Sequence, residues 1–368
     1  MWEADRLDHL LLEALRLGWL ARCDIAQRPT SFSLLPIPEL HQTRVDAVLK
    51  RATEDQVDGL VALGLLEIGA EENDVRSRER VKEASFRSLW IQSGRDRVQK
   101  ALEADGIFPV WLKGAVGDAL FWKGQGLRGT TDLDILIAPN EVERADAVLL
   151  RLGYRYAPEP GHAVSETFKP ERLYLAQNRN RDVDVDLHIG VLKSPPYIEC
   201  APELRGRACH YETAFGSILG LSREDMLAHA AGNLAGSKFV GRLKLLLDAA
   251  TLLCEPELNL DEVVERVSRW GCAWALWGLF RLCEVRFGLP IEERHVQAVA
   301  PRTLAQRALV EAVVGVWGRP RVPQSGLGRL TLVEWPLLER PLWPLEAGTR
   351  HVAHRLADRW EAWRNSIP

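Results

Sequence analysis

Apolar and polar positions follow different rhythms in different parts of this chain. Over residues 1–105 the apolar side chains recur at helical spacing, as at Leu10, Leu11, Leu12, Leu15, Leu17 and Leu20, which gives each helix one apolar face. The Pro-rich stretch SFSLLPIPEL interrupts that pattern. Further amphipathic helices are predicted from about His41 to Leu66 and from about Ser77 to Asp105, the last carrying Phe86, Leu89, Trp90 and Val98.

From Ile107 the rhythm shortens. IFPVWLKG reads as a strand ending in a glycine, AVGDALFWK as a short helix, GQGLRGTT as a Gly-rich loop and DLDILIA as a strand. Asn140 with Glu143 resembles a reciprocal helix cap, and the helix over EVERADAVLLRLG is closed by Gly153. YRYAP is a short extended piece. RLYLAQ and VDVDLHIG flank the polar turn NRNR and predict a hairpin. The order strand, helix, strand, helix, strand pair predicts an α+β fold with a mixed sheet and an antiparallel part.

Past about residue 196 the helical rhythm returns. SREDMLAHAAGNLAG carries Glu224 and Asp225 where a helix N-terminus favours acids. FVGRLKLLLDAATLLC follows, then DEVVERVSRWGCAWALWGLFRLCEVRFG, ended by Gly288 and Pro290. The expected organisation is an N-terminal helical region over 1–105, a catalytic core over 106–195, a helical domain packing on it over 196–295, and a Trp/Pro-rich helical tail over 296–368.

Composition changes this picture little. The chain has 368 residues, 46% hydrophobic and 27% charged, which suits two or three packed units and excludes wholesale disorder. A net charge of −4 offers no global basic field, which disfavours a nucleic acid partner. Six cysteines form no C-x-x-C pair, so a zinc site is not indicated and a reducing cytoplasm is expected. The acidic N-terminus is unlike a signal peptide. No apolar run reaches the roughly 20 residues that cross a bilayer, so no membrane partner is expected.

Two acidic patterns carry the chemistry. Asp132 and Asp134 are one residue apart within an apolar run, so a strand points both to one face while Leu133, Ile135 and Ile137 pack behind. Paired carboxylates repel, and oxygen ligands of this type suit Mg²⁺ or Mn²⁺. In RDVDVDLHIG, Asp182, Asp184, Asp186 and His188 alternate with Val183, Val185, Leu187 and Ile189, again with a period of two. Each pattern alone also fits a solvated strand face. WLKGAVGDAL adds a third piece: Gly114 at a strand-to-helix junction lets a phosphate approach the backbone, and Lys113 adds positive charge. Arg128 is equally a phosphate contact or a carboxylate counter-ion. Three carboxylates from two strands can hold two divalent ions, an arrangement that supports in-line phosphoryl displacement, and one carboxylate can help deprotonate an acceptor hydroxyl. For His188 a structural hydrogen bond at the strand end competes with an accessory role. His229, Trp270, Trp274 and Trp277 read as core residues.

These three pieces resemble the nucleotidyltransferase-fold proteins related to DNA polymerase β, and more closely the bacterial uncharacterised nucleotidyltransferase family. That family has an L-K-G motif, an R-x-x-x-D-h-D-h-h-h motif and a later D-L-H. The chain reads Leu112-Lys113-Gly114, Arg128 through Asp132-Leu133-Asp134-Ile135-Leu136-Ile137, and Asp186-Leu187-His188. Leu227, His229, Asp248 and Gly288–Pro290 look like the family's trailing helices, so the resemblance spans roughly residues 40–290. It implies Mg²⁺- or Mn²⁺-dependent transfer of a nucleoside monophosphate from an NTP, with ATP favoured, to a hydroxyl or phosphate of an unknown small-molecule, peptide or protein acceptor. Asp132, Asp134 and Asp186 would be catalytic metal ligands, with Lys113, Gly114 and Arg128 around the phosphates. Asp184 competes with Asp186 for the third position, and D-L-H favours Asp186. The superfamily's usual Gly-Ser is Gly114-Ala115 here. Two other readings stay open: a catalytically weak nucleotide-binding or antitoxin-like interaction protein of the same fold, and a metal-dependent phosphohydrolase. Oligomeric state is not legible.

Overall fold

The computed structural model describes residues 2–22, 42–67, 74–122, 125–157, 171–178, 182–191, 201–213, 215–236 and 243–302, with 304, 307 and 308. The expectations for SFSLLPIPEL, for Cys23 and Cys200 and for nearly all of the Trp/Pro-rich tail lie outside these residues. Among the described residues, no helix is long and apolar enough to cross a membrane.

Helices α1 (Trp2–Arg22), α2 (Gln42–Glu54), α3 (Asp58–Glu67) and α4 (Asp74–Ala104) precede the sheet. Helices α1 and α3 cross at Gly18 and Gly64. A Cβ on Gly18 would lie 1.9 Å from the Leu60 carbonyl oxygen, and one on Gly64 would lie 1.7 Å from that of Ala14. Only glycine permits that approach. Trp19 then donates to Thr251 at 3.0 Å and meets Phe287 edge-on, which ties the N-terminal helices to the C-terminal ones.

Strands β1 (Val110–Trp111), β2 (Asp132–Leu136), β3 (Tyr154–Tyr156), β4 (Glu171–Ala176), β5 (Asp184–His188), β6 (Cys209–Thr213) and β7 (Gly216–Gly220) form one mixed sheet in the order β3-β4-β5-β2-β1-β7-β6. Helix α5 (Lys113–Phe121) connects β1 toward β2, and α6 (Val142–Arg151) follows β2. The expected hairpin is the antiparallel β4–β5 pair. Strand β5 also pairs in parallel with β2, so two distant segments lie side by side at the centre of the sheet. Leu133, Ile135, Val185 and Leu187 are fully buried. They form the apolar face of these two strands.

Helices α7 (Ala201–Gly206), α8 (Arg223–Gly236), α9 (Leu243–Leu253), α10 (Leu260–Arg269), α11 (Ala273–Phe287) and α12 (Glu293–Ala298) complete the described chain. Trp270, Trp274 and Trp277 are buried, as core residues should be.

Four local expectations are corrected. Helix α5 starts at Lys113, so β1 is two residues long. The cap before α6 is made by Glu141, whose carboxylate accepts the Ala138 N–H at 2.9 Å, because a short 3₁₀ turn over Pro139–Glu141 comes first. The long helix after residue 260 breaks at Gly271, which sits at φ +70°, a conformation that ends α10 cheaply only at glycine. Residues 209–220 are not helical: β6 and β7 pair with each other, and β7 joins β1 in parallel, so the sheet extends past the boundary expected at 195.

Candidate active site

The site follows from one register. Parallel pairing sets Asp132 opposite Asp184, Asp134 opposite Asp186 and Leu136 opposite His188. Paired residues of parallel strands project to the same face. All of the acids therefore share the face opposite Leu133, Ile135, Val185 and Leu187. Ligand atoms of Asp134, Asp186 and His188 lie within 4.8 Å of one another. Asp132 stands at the strand start, half-buried, with the Thr131 hydroxyl donating to it at 3.3 Å.

Asp134 is the buried centre of this group. His188, also buried, meets its Oδ1 through Nε2 at 2.9 Å, and the Lys113 ammonium donates to the same oxygen. Burial pushes the carboxyl up, but Lys113 and His188 outweigh it and hold Asp134 well below the ordinary carboxylate range. Nε2 of His188 is then the donor, because an ionised carboxylate only accepts. Burial opposes charge on Lys113 too, and is outweighed by Asp134, with Asp132 and Asp186 adding to it, so the lysine is raised. Its backbone sits at φ +46°, which costs a non-glycine residue about 1 kcal/mol. The Leu112 N–H donates to the Asp134 carbonyl at 3.0 Å and holds the turn against β2.

The remaining expected residues are placed differently. Asp184 accepts the Ala176 N–H at 2.8 Å, finishing the β4–β5 pairing, and Asp182 pairs with Arg97 before the strand begins. Arg128 is buried. It donates to Asp248 through Nε at 3.1 Å and through a terminal nitrogen at 2.7 Å. The other terminal nitrogen reaches the Gly129 carbonyl and the Thr130 hydroxyl. Of the two roles open for Arg128, its contacts take that of counter-ion. A Cβ on Gly114 would lie 2.3 Å from Thr130 Oγ1 and 2.5 Å from an Arg128 nitrogen, so the surface of Gly114 is covered by this loop. His229 meets Asn233 at 2.8 Å. Burial, with Lys113 and His188 nearby, lowers it to about 3, so it is neutral at ordinary pH.

Two residues escaped the sequence reading. Gln56, in the turn between α2 and α3, sits at φ +58°. Its carbonyl accepts the Gly129 N–H at 2.8 Å, and its amide donates to Thr131 at 3.3 Å. Lys244, at the start of α9, donates to the Gln56 side-chain oxygen. Burial, then Arg128, lower it to about 8 against the pull of Asp132, Asp248 and Asp134. Asp248, one turn on and already linked to the family pattern, is also buried. The available signal was a Lys and an Asp four residues apart on an otherwise apolar helix, LKLLLDAATLL. Gln56 gave none.

The donor set fits a divalent ion. The Asp134 and Asp186 carboxylates converge, with His188 against them and Asp132 on the same face, and their hard oxygens are those that Mg²⁺ or Mn²⁺ prefer.

A family model described as "Uncharacterised nucleotidyltransferase" matches residues 41–288. No curated protein matches the chain. The solution structure of the antibiotic-resistance factor ANT(2'')-Ia is similar over 50% of this chain and 91% of its own, at 13% identity and a TM-score of 0.34.

Proposed function

The chain belongs to the uncharacterised nucleotidyltransferase family, and from that premise we propose that it moves a nucleoside monophosphate from an NTP, ATP by preference, to a hydroxyl or phosphate of a small-molecule, peptide or protein acceptor. The observation that carries this reading is the β2–β5 register, which sets Asp134 beside Asp186 and His188 on one face with Asp132 at its edge.

In this reading Asp132, Asp134 and Asp186 hold the divalent ion or ions. Bound Mg²⁺ would supply positive charge at the reacting phosphate and at the leaving oxygen. His188 fixes the orientation of Asp134, as an outer partner of a ligand does. Lys113 neutralises Asp134 before substrate arrives and is then placed to face phosphate. Arg128 and Gly114 act by position: the Arg128–Asp248 pair locks the loop that delivers Asp132, and Gly114 leaves room for it. A half-buried carboxylate at the edge of this face, such as Asp132, can take the acceptor proton. Asp184 is engaged by the β4 backbone, which supports Asp186 as the third ligand.

The test is pyrophosphate release from each of the four NTPs with Mg²⁺ and an acceptor panel, with mass spectrometry of the acceptors. Wild type should add a nucleoside monophosphate to at least one acceptor, and Asp132→Asn and Asp134→Asn should abolish it. Release of free phosphate or NMP with no labelled acceptor would point to a phosphohydrolase instead. Nucleotide binding with no turnover would favour the second reading, a catalytically weak binding or antitoxin-like module, which Ala115 in place of the superfamily's serine and the Lys113 contact on Asp134 mildly support.

A further inference from the structure

Among the described residues, the buried Arg128 and Arg266 close on carboxylates, whereas the buried Arg95 donates to the Ala115 carbonyl and the Thr213 hydroxyl. The hydrogen bond described for the Lys244 ammonium goes to a neutral amide, that of Gln56. A half-buried ammonium gains less from an amide than from an anion; Arg128 repels this one, while Asp132, Asp248 and Asp134 draw it toward the acidic face.

Its neighbours are donors. The Gln56 amide nitrogen and the Thr131 hydroxyl lie 3.3 Å apart, and Thr131 lies 3.3 Å from Asp132. Lys244, Gln56 and Thr131 thus run in a chain from the start of α9 to the edge of the carboxylate face. Each comes from a different part of the molecule. Gln56 closes the C-terminus of α2 in a left-handed conformation, with the Val57 N–H donating to the Ala52 carbonyl at 2.9 Å, and its own carbonyl accepts the Gly129 N–H, which fixes it beside the acidic face.

We propose that Lys244, Gln56 and Thr131 form an anion subsite that takes the pyrophosphate end of the nucleoside triphosphate. This rests on the nucleotidyl-transfer reading. In that reaction the acceptor oxygen forms a bond to the α-phosphorus, and its proton passes to a carboxylate. The bond from the α-phosphorus to the bridging oxygen breaks, and pyrophosphate leaves with the electron pair. Negative charge therefore grows on the leaving group. A cation beside Asp132, outside the carboxylate cluster itself, is placed for that charge and not for the nucleoside.

The test is calorimetric titration of folded wild-type, Lys244→Gln and Lys244→Arg protein with Mg²⁺ present, using pyrophosphate and, separately, AMP. Lys244→Gln should weaken pyrophosphate binding about tenfold or more, the loss of one charge-assisted contact. Lys244→Arg should restore it to within a few-fold, and AMP affinity should move little in either variant. The proposal is overturned if wild type shows no saturable pyrophosphate binding. It is also overturned if Lys244→Gln binds pyrophosphate as wild type does, or loses AMP to the same degree. Turnover separates the two ideas. Lys244-dependent pyrophosphate binding without transfer to any acceptor defeats the transfer reading and leaves the subsite standing. Transfer with Lys244-independent pyrophosphate binding does the reverse.

Discussion

Replacing Arg128 with methionine removes the guanidinium from a pair in which Nε and a terminal nitrogen lie 3.1 and 2.7 Å from the two oxygens of Asp248. Both residues are buried, so water cannot take over the contacts that are lost. Burial already pushes the Asp248 carboxyl up, with Arg128 and Lys244 pulling against it. Without Arg128 the carboxylate keeps only Lys244. Breaking one side of such a pair costs about 3–5 kcal/mol, a large part of the 5–15 kcal/mol typical of a whole domain. The same substitution frees the Gly129 carbonyl and the Thr130 hydroxyl, which puts the expected loss in the upper part of that range. Urea unfolding followed by tryptophan fluorescence measures it as a shift in midpoint at constant slope. The double variant Arg128→Met, Asp248→Leu removes the orphaned charge and should regain at least half of the loss, because the two changes are coupled. A loss below about 1 kcal/mol for the single variant, or a double variant as unstable as the summed singles, would refute the counter-ion account. A stable Arg128→Met protein that had lost only nucleotide affinity would return Arg128 to the phosphates.

Gly114→Ala should destabilise by about 1–3 kcal/mol, since its Cβ meets Thr130 Oγ1 at 2.3 Å; thermal melting measures this, and adding Thr130→Ala should recover part of it. His188→Ala should weaken Mn²⁺ binding, read by electron paramagnetic resonance, about 10–100-fold, the usual cost of losing an outer partner of a ligand, and an unchanged affinity would remove His188 from the site. Lys244 is lowered to about 8 by burial and Arg128 against the pull of Asp132, Asp248 and Asp134. Pyrophosphate affinity should therefore hold below pH 8 and fall as pH rises through it, and in Lys244→Arg that fall should disappear. Asp134 has the opposite sign: its carboxyl is depressed, so its share of stability is present above the ordinary carboxylate value near pH 4 and lost as acid titrates the folded protein below it.

The acids were legible because strand geometry is local. A period of two in DLD and in DVDVDLH puts the carboxylates on one face of each strand before any tertiary contact exists, and the sheet had only to set the two strands side by side. The β6–β7 hairpin was not legible: β6 lies at the sheet edge and buries Tyr211 alone of its five residues, so no alternation marks it. Helical apolar spacing runs on across Gly271, and only its positive φ splits α10 from α11. Arg128 was seen, but its partner is 120 residues away, and only packing decides between a phosphate and Asp248. Gln56 and Lys244 gain their meaning from the approach of α9 to the turn after α2, which no spacing in either segment announces.

The placing of β5 against β2 has a consequence for how the molecule is assembled. The chain visits β3 and β4 before β5 returns to the middle of the sheet, so Asp134 and Asp186 are joined by a loop of about fifty residues whose closure entropy must be met before they become neighbours. Such long-range pairings form slowly. The unfolded chain holds no preformed cluster, so a divalent ion that binds the finished site binds the native state alone. At a hundred times its dissociation constant, that ion would add about 2.7 kcal/mol to stability by mass action. Folding and metal loading would then be one linked equilibrium, and the melting temperature would report on the occupancy of the candidate site.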